Sequence, residues 1–281
     1  MAENCNHDCS SCGESCVSRD SKSFLKQPHK LSKIKKVIAV VSGKGGVGKS
    51  MTSALIACAS QNMGYNTAIM DADITGPSIP KMFGLHERAM GSEAGILPVL
   101  SANGMQIMSM NVLLNSEDDP VVWRGSLISG TVQQFWTDVI WTDVDYMFID
   151  MPPGTGDVPL TIFQSIPLDG IIIVTTPQDL VGMIVKKAVN MAALMNIPIL
   201  GIVENMSYIT CPDCGRKISV FGESKADAIA LEHGIKNVVK VPIDLSLTKA
   251  ADGGNIETFE PNYYKDFFAK IDKQLQSASV K

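Results

Sequence analysis

Eight residues, Gly43-Lys44-Gly45-Gly46-Val47-Gly48-Lys49-Ser50, restrict the fold of this chain more than any other stretch. They complete the pattern G-x-x-x-x-G-K-[ST], which cradles phosphates when a strand leads into the loop and a helix leads out of it. Both flanks are present: Val37-Ile38-Ala39-Val40-Val41 is a continuous apolar run of strand type, and Leu55, Ile56, Ala59 and Met63 give the following stretch a helical period. Glycines at 43, 45, 46 and 48 let successive backbone N–H groups turn toward one anion, and the helix presents its positive end to it. Lys49 is placed to neutralise β- and γ-phosphate oxygens, and Ser50 to offer a hydroxyl to Mg2+, with Met51 closing the nucleotide-binding segment. Lys44 adds a second ammonium to the same short loop. Two like charges that close repel unless a multiply charged anion such as ATP lies between them.

The 281 residues, 45% hydrophobic, suffice for a substantial core, read here as one P-loop ATPase domain over 31–281 behind a tail at 1–30. With 24 basic against 29 acidic residues the net charge is −5, which gives no electrostatic reason to expect nucleic acid or an anionic membrane as partner. The start, Met1-Ala2-Glu3-Asn4, has no basic region followed by an apolar run, and no stretch approaches the roughly 18 apolar residues of a membrane span. A cytoplasmic protein without a membrane span is therefore expected. Seven cysteines, odd in number and clustered, point to metal or redox chemistry rather than a disulfide framework.

Apolar runs alternating with amphipathic stretches predict a mostly parallel sheet with helices on both faces. Strands are expected at 37–41, 67–70, 105–110, 146–149, 171–174, 199–203 and 238–241, and helices at 49–62, 126–140, 179–195, 223–233 and 262–276. Residues 1–30 are polar and cysteine-rich, too poor in branched apolar residues to offset ordering entropy, and read as a tail that orders around a ligand.

Two acidic segments follow strands, at the sheet edge where such folds bind ligands. In Asp71-Ala72-Asp73-Ile74-Thr75-Gly76-Pro77-Ser78, Asp71 is placed to hold a magnesium-bound water and Asp73 to orient or deprotonate the attacking water. In Asp150-Met151-Pro152-Pro153-Gly154-Thr155-Gly156-Asp157, Asp150 is placed to approach Mg2+ through water, and Gly154 and Gly156 free the backbone of a nucleotide-sensing switch.

Cys211-Pro212-Asp213-Cys214-Gly215 is a C-x-x-C knuckle whose spacing brings two thiolates to one metal or cluster. Two ligands are not four. A two-fold dimer would join two pairs around one bridging [4Fe-4S] cluster. The tail offers the competing source, since Cys5, Cys9, Cys12 and Cys16 hold the spacing C-x3-C-x2-C-x3-C, enough for a cluster of their own, while Cys9 and Cys12 alone would complete a zinc site with the knuckle. Thiol–disulfide exchange at Cys211 and Cys214 is a further reading, although such pairs ordinarily open a helix near the first strand.

Together the two-lysine loop, Asp71-Ala72-Asp73, the Asp150–Asp157 segment and the knuckle resemble the Mrp/ApbC group of iron-sulfur cluster carrier ATPases, over roughly residues 35–260. Trp123-Arg124-Gly125 and Glu204-Asn205-Met206-Ser207 match further family segments. These carriers belong to the deviant Walker A class, with ParA, MinD and the nitrogenase iron protein. The resemblance implies that Lys44 reaches the partner's phosphates in a nucleotide sandwich dimer, that Asp73 supports hydrolysis and that Asn205 contacts adenine. It also implies a carrier that hands its cluster to apo-proteins while ATP sets the geometry of the dimer. The rival within the class is a ParA- or MinD-like positioning switch without a cluster. Ser126 stands where the family often has proline, Thr75 where it often has an aromatic, and the tail spacing is tighter than the ferredoxin-like motif of eukaryotic relatives.

Other features read as packing. Tyr263, Tyr264, Phe267, Phe268, Ile271 and Leu275 form a helical stripe suited to the core rather than a membrane surface. Cys58 reads as a small buried apolar residue, and Trp136 and Trp141 as anchors of a helix end on the sheet. Strand alternation splits Met105 from Met108 and Met110, which argues against a methionine metal site. His7, His29, His86 and His233 form no catalytic pair, although His7 in the cysteine tail is an occasional-ligand candidate.

Overall fold

A run of branched apolar residues from Val37 to Val41 cannot face water on either side, and the chain meets this by placing β1 (Ile34–Ser42) at the centre of a sheet covered on both faces. The computed structural model describes residues 24–74, 76–114, 125–154, 156–178 and 181–279. After β1 come α1 (Lys49–Asn62), β2 (Thr67–Asp71), a single turn α2 (Ile79–Met82), the ribbon β3 (Met90–Gly91) and β4 (Ile96–Leu97), then β5 (Val99–Leu100) and β6 (Gln106–Met108). The chain continues through α3 (Gly125–Thr137), β7 (Val144–Asp150), α4 (Asp157–Ser165), β8 (Gly170–Thr175), α5 (Val181–Leu194) and β9 (Ile199–Thr210). It ends with β10 (Lys217–Ile218), α6 (Ala226–Glu232), β11 (Val238–Pro242), α7 (Leu245–Asp252) and α8 (Asn262–Ser279).

The strands run in the order β10-β9-β8-β1-β7-β2-β6-β5, with β11 also paired to β9. Pairings are parallel from β6 across to β11, and antiparallel where β5 and β10 fold back at the edges. The chain crosses from β1 to β2 on one side and returns later to β8 on the other. The carboxyl ends of β1, β2, β7, β8 and β9 therefore converge on one edge, where the switch in direction opens a crevice.

Two cores follow from the two faces. Against one face pack Phe135, Trp136, Trp141 and Ile162; the Trp136 indole N–H donates to the Lys26 carbonyl at 2.9 Å and that of Trp141 to Phe135 at 3.0 Å, so each buried polar handle has an acceptor. Against the other pack α1, with Cys58 buried, and α8. Tyr264, Phe267, Phe268, Ile271 and Leu275 are all buried there, and the Phe268 ring meets Tyr146 edge-on at 5.1 Å. Each such side chain stabilises the fold by about 1.5–3 kcal/mol, so the stripe is core packing. Met105 lies in this second core and Met108 and Met110 in the first, as strand alternation requires.

Several boundaries move for identifiable reasons. The helix expected at 126–140 ends at Thr137, because Val139 bridges to Ile96 and the Ile140 N–H donates to the Ile96 carbonyl. The strand expected to stop at 203 runs on to Thr210. Short helices α2, α4 and α7 were not anticipated; α7 is capped by Asp244, whose carboxylate accepts from the Ser246 N–H at 2.8 Å. Residues 26 and 29, grouped with the tail by composition, are already bonded to the body: the Lys26 N–H donates to Ser165 and the His29 N–H to Trp136. Among the described residues no helix is long and apolar enough to cross a membrane.

Candidate functional site

The loop between β1 and α1 turns on two left-handed glycines, Gly46 at φ 77° and Gly48 at φ 78°. A side chain at either position would be strained, which is why the pattern demands glycine there. At Gly48 an added Cβ would also fall 2.2 Å from the Asn205 amide nitrogen, so the end of that side chain would have to shift. The loop is tied down on both sides. The Ser42 hydroxyl donates to the Lys44 carbonyl at 3.0 Å, and the Gly154 N–H donates to the Ser42 carbonyl at 2.8 Å, so the loop and the Asp150–Asp157 segment share one anchor.

Lys49 points into the sheet edge. Its ammonium lies 2.8 Å from Asp150 Oδ1, 4.0 Å from Asp73 Oδ2 and 3.3 Å from the Ser50 hydroxyl, with only 6% of the side chain exposed. Asp150 and Asp71 are register partners on β7 and β2, both fully buried. Ser53 donates to Asp150 Oδ1 at 2.6 Å; Asp150 Oδ2 is buried with no hydrogen-bond partner. Asp71 Oδ2 accepts from the Ser109 hydroxyl at 3.0 Å and Oδ1 from the Asp73 N–H at 3.1 Å. Burial pushes the Asp71 carboxyl well above the usual carboxylate range and the neighbouring Asp150 charge adds to this, while Lys49, Ser109 and the Asp73 N–H pull it back. Two adjacent acids and one ammonium, most of it dry, are thus brought together at the sheet edge beside the loop.

Lys44 turns the other way, donating to Gln178 in the turn after β8. Asn205, on β9, closes the opposite flank: its Nδ2 donates to the Val47 carbonyl at 2.9 Å, and its Oδ1 accepts from the Met206 N–H at 2.9 Å. Met206 adopts φ 55°, rare for a non-glycine residue, and the pairing of β9 with β11 shifts register at this bulge.

Beyond the bulge β9 runs to the knuckle and returns as β10. The Cys211 N–H donates to the Arg216 carbonyl at 2.9 Å, the Gly215 N–H to Cys211 at 2.9 Å, and Gly215 sits at φ 69° so that the chain can wrap the sulfur. The backbone N–H groups of Cys214 and Asp213, with the Cys214 side chain, hold the Cys211 thiol below its ordinary pKa. Cys211 is half-buried, Cys214 exposed, and Ile218, Val220 and Phe221 just beyond are exposed as well. Among the described residues no third histidine, cysteine or carboxylate joins the pair. Cys5, Cys9, Cys12, Cys16 and His7 lie outside the described residues, as do Thr75, Trp123 and Arg124.

The structure thus gathers Gly43 to Met51, Asp71, Asp73, Asp150 and Asn205 at one edge and leaves the cysteine pair at the end of β9. Ser53, Ser109 and Gln178 belong to the same constellation without having been picked out in the sequence. Ser53 leaves a faint trace there, as a polar residue on the buried face of an apolar helix.

Residues 33–276 match the ParA family profile described as NUBPL iron-transfer P-loop NTPase. The chain is 44% identical over 261 residues to an iron-sulfur cluster carrier protein of Methanocaldococcus jannaschii, covering 90% of each chain. It is 42% identical over 267 residues to one of Clostridium perfringens, covering 89% of this chain and 94% of that one. Among solved structures, an Archaeoglobus fulgidus nucleotide-binding protein in complex with ADP superposes with a TM-score of 0.76 at 43% identity, covering 83% of this chain and 92% of that one. The Pyrococcus furiosus cell division ATPase MinD, 16% identical with a TM-score of 0.60, covers 85% and 99% and shares the fold.

Proposed function

The chain belongs to the ParA-type family of NUBPL iron-transfer P-loop NTPases, and on that premise we propose that it hydrolyses ATP slowly while it assembles a [4Fe-4S] cluster and passes it to apo-proteins. One observation carries the reading: β9 joins the two sites. Asn205 in β9 grips the phosphate loop, and Cys211 is the first residue after the strand, at most roughly 20 Å away at about 3.3 Å per residue. A loop that changes shape around nucleotide pulls on the element that ends in the thiolates.

In this reading Gly43 to Met51 wrap the phosphates, Lys49 meets their charge, Asp73 orients the attacking water and Lys44 adds charge across a homodimer. The residues fit Mg2+, because the orphaned Asp150 Oδ2 lies buried among charged groups and wants a cation or a bound water. Ser50, Asp71 and Asp150 would hold the ion, which would screen the β- and γ-phosphate charge. Asn205 would turn to adenine, exchanging its bond to Val47. Cys211 and Cys214 supply half of a thiolate set that a second subunit completes around the cluster, the cargo, and Cys5, Cys9, Cys12 and Cys16 are the competing set of ligands. Work on labile clusters suits a cytoplasmic carrier.

Iron, sulfide and mass measured after anaerobic purification test this. Iron and sulfide in a dimer, with visible absorption lost in Cys211→Ala and Cys214→Ala, is the expected result. Absorption that survives both substitutions at full iron content would move the cargo to the tail. One zinc without sulfide would make the knuckle a structural zinc site, and a metal-free dimer would leave a positioning switch of the MinD kind.

A further inference from the structure

The two lysines of the phosphate loop are held in opposite ways. Lys49 is buried against the Asp150 carboxylate at 2.8 Å. Lys44 reaches along the sheet edge, and its ammonium donates to the side-chain oxygen of Gln178. Among the described residues no carboxylate pairs with Lys44. A neutral acceptor holds an ammonium less tightly than a carboxylate does, and Gln178 is exposed, so water competes for the bond. The acceptor itself is well placed. Thr175 and Thr176 just before it are buried at the end of β8, and Pro177 fixes the backbone between them and Gln178. The Lys44 backbone is pinned through Ser42, so release moves only the side chain.

We propose that Gln178 is a positioning residue for hydrolysis: it docks Lys44 at the rim of the phosphate loop in a bond weak enough to break, and the neutrality of the side chain at 178 helps to set turnover. This rests on the reading in which Lys44 leaves its own subunit's surface to meet triphosphate. A lysine clamped by a carboxylate would be slow to leave, and one with no acceptor would sample many rotamers.

Steady-state ATP hydrolysis by the full-length protein tests the docking with Gln178→Glu, Gln178→Leu and Lys44→Ala, each compared with wild type at the same salt and checked for an unchanged melting temperature. Gln178→Glu is expected to lower kcat about three- to fivefold, the span an exposed ion pair can supply. KM for ATP should stay within about twofold, and the loss should fade toward 0.5 M salt as the new ion pair is screened. Gln178→Leu, which removes the acceptor at similar volume and leaves the ammonium to sample many rotamers, should lower kcat by less than Gln178→Glu does, and by an amount that added salt does not change. An unchanged kcat in Gln178→Glu at low salt, or an equal salt-independent loss in both Gln178 variants, overturns the docking. Lys44→Ala separates the levels: unchanged turnover there sinks the role given to Lys44 itself, whereas loss there with no effect at Gln178 sinks only the docking.

Discussion

At the phosphate loop the charged groups are buried and already bonded to one another, whereas at the cysteine hairpin the two thiols stand half or fully in solvent. Lys49, Asp71 and Asp150 are dry, and each is held by partners from a different element: α1, β2, β7 and the residues after β6 all contribute. Cys211 and Cys214 occupy a single turn, positioned by backbone hydrogen bonds within their own hairpin. The first arrangement is preorganised and keeps its shape by itself. The second rests on one turn alone, and under the proposed function a second subunit completes it around a group that is loaded and given away. Substitutions at the two ends should therefore fail differently: at the loop through stability and turnover, at the hairpin through cargo alone.

The largest effect is expected where charge is added during reaction. Lys44→Ala should retain nucleotide affinity within a few-fold and lose roughly 10³ in turnover, the scale of charge supplied in trans in related NTPases. Single-turnover hydrolysis beside equilibrium nucleotide binding measures both; a parallel fall in affinity would make Lys44 an ordinary phosphate ligand. Next comes Lys49→Ala, which strands the buried Asp150 carboxylate without its ion partner and should cost about 3–5 kcal/mol in denaturant unfolding. Adding Asp150→Asn should recover much of that loss. If Lys49→Ala unfolds at the wild-type midpoint, the acids are hydrated and the contrast between the two ends weakens.

Gly48→Ala sharpens the comparison at smaller scale. Its φ of 78° and the Asn205 nitrogen 2.2 Å from the added carbon predict a cost of about 1–3 kcal/mol, together with weaker nucleotide binding as the strained backbone pulls the loop's N–H groups out of line. Thermal melts and nucleotide titration check it. Gly215→Ala, at φ 69°, is also left-handed but has nothing within contact distance of the new carbon, so it should cost only the backbone share.

The loop end was largely readable from the chain because its chemistry is local: a glycine spelling, an apolar strand before it and acids at the ends of two further strands. What escaped is what tertiary convergence creates. Ser53 and Ser109 are ordinary polar residues until β7 and β2 bring Asp150 and Asp71 beside them. Nothing near Gln178 marks it as the acceptor for a lysine far earlier in the chain. The extension of β9 was hidden for another reason. Its bulge at Met206 breaks the period of two, so Glu204 to Thr210 reads as a loop although it pairs with β11 and β10. The hairpin's spacing announced two thiolates, but a spacing cannot name what else would join them.

The smallest effect is expected at the hairpin, and its smallness is the point. Because Cys214 is exposed and Cys211 only half-buried, replacing either by alanine should shift unfolding by less than about 0.5 kcal/mol. Reactivity, by contrast, should separate the cysteines sharply. The N–H groups of Cys214 and Asp213 stabilise the Cys211 thiolate, so its alkylation should rise with a midpoint below that of an ordinary thiol. Burial raises the pKa of Cys58 and shields it, so it should stay unmodified until the chain unfolds. Peptide-resolved mass spectrometry of metal-free protein across pH 6–10 reads both. A Cys211 midpoint at or above the ordinary value would mean that the N–H groups do not face the sulfur in solution, and the hairpin would then be a loop shaped only by its cargo rather than a half-site formed in advance.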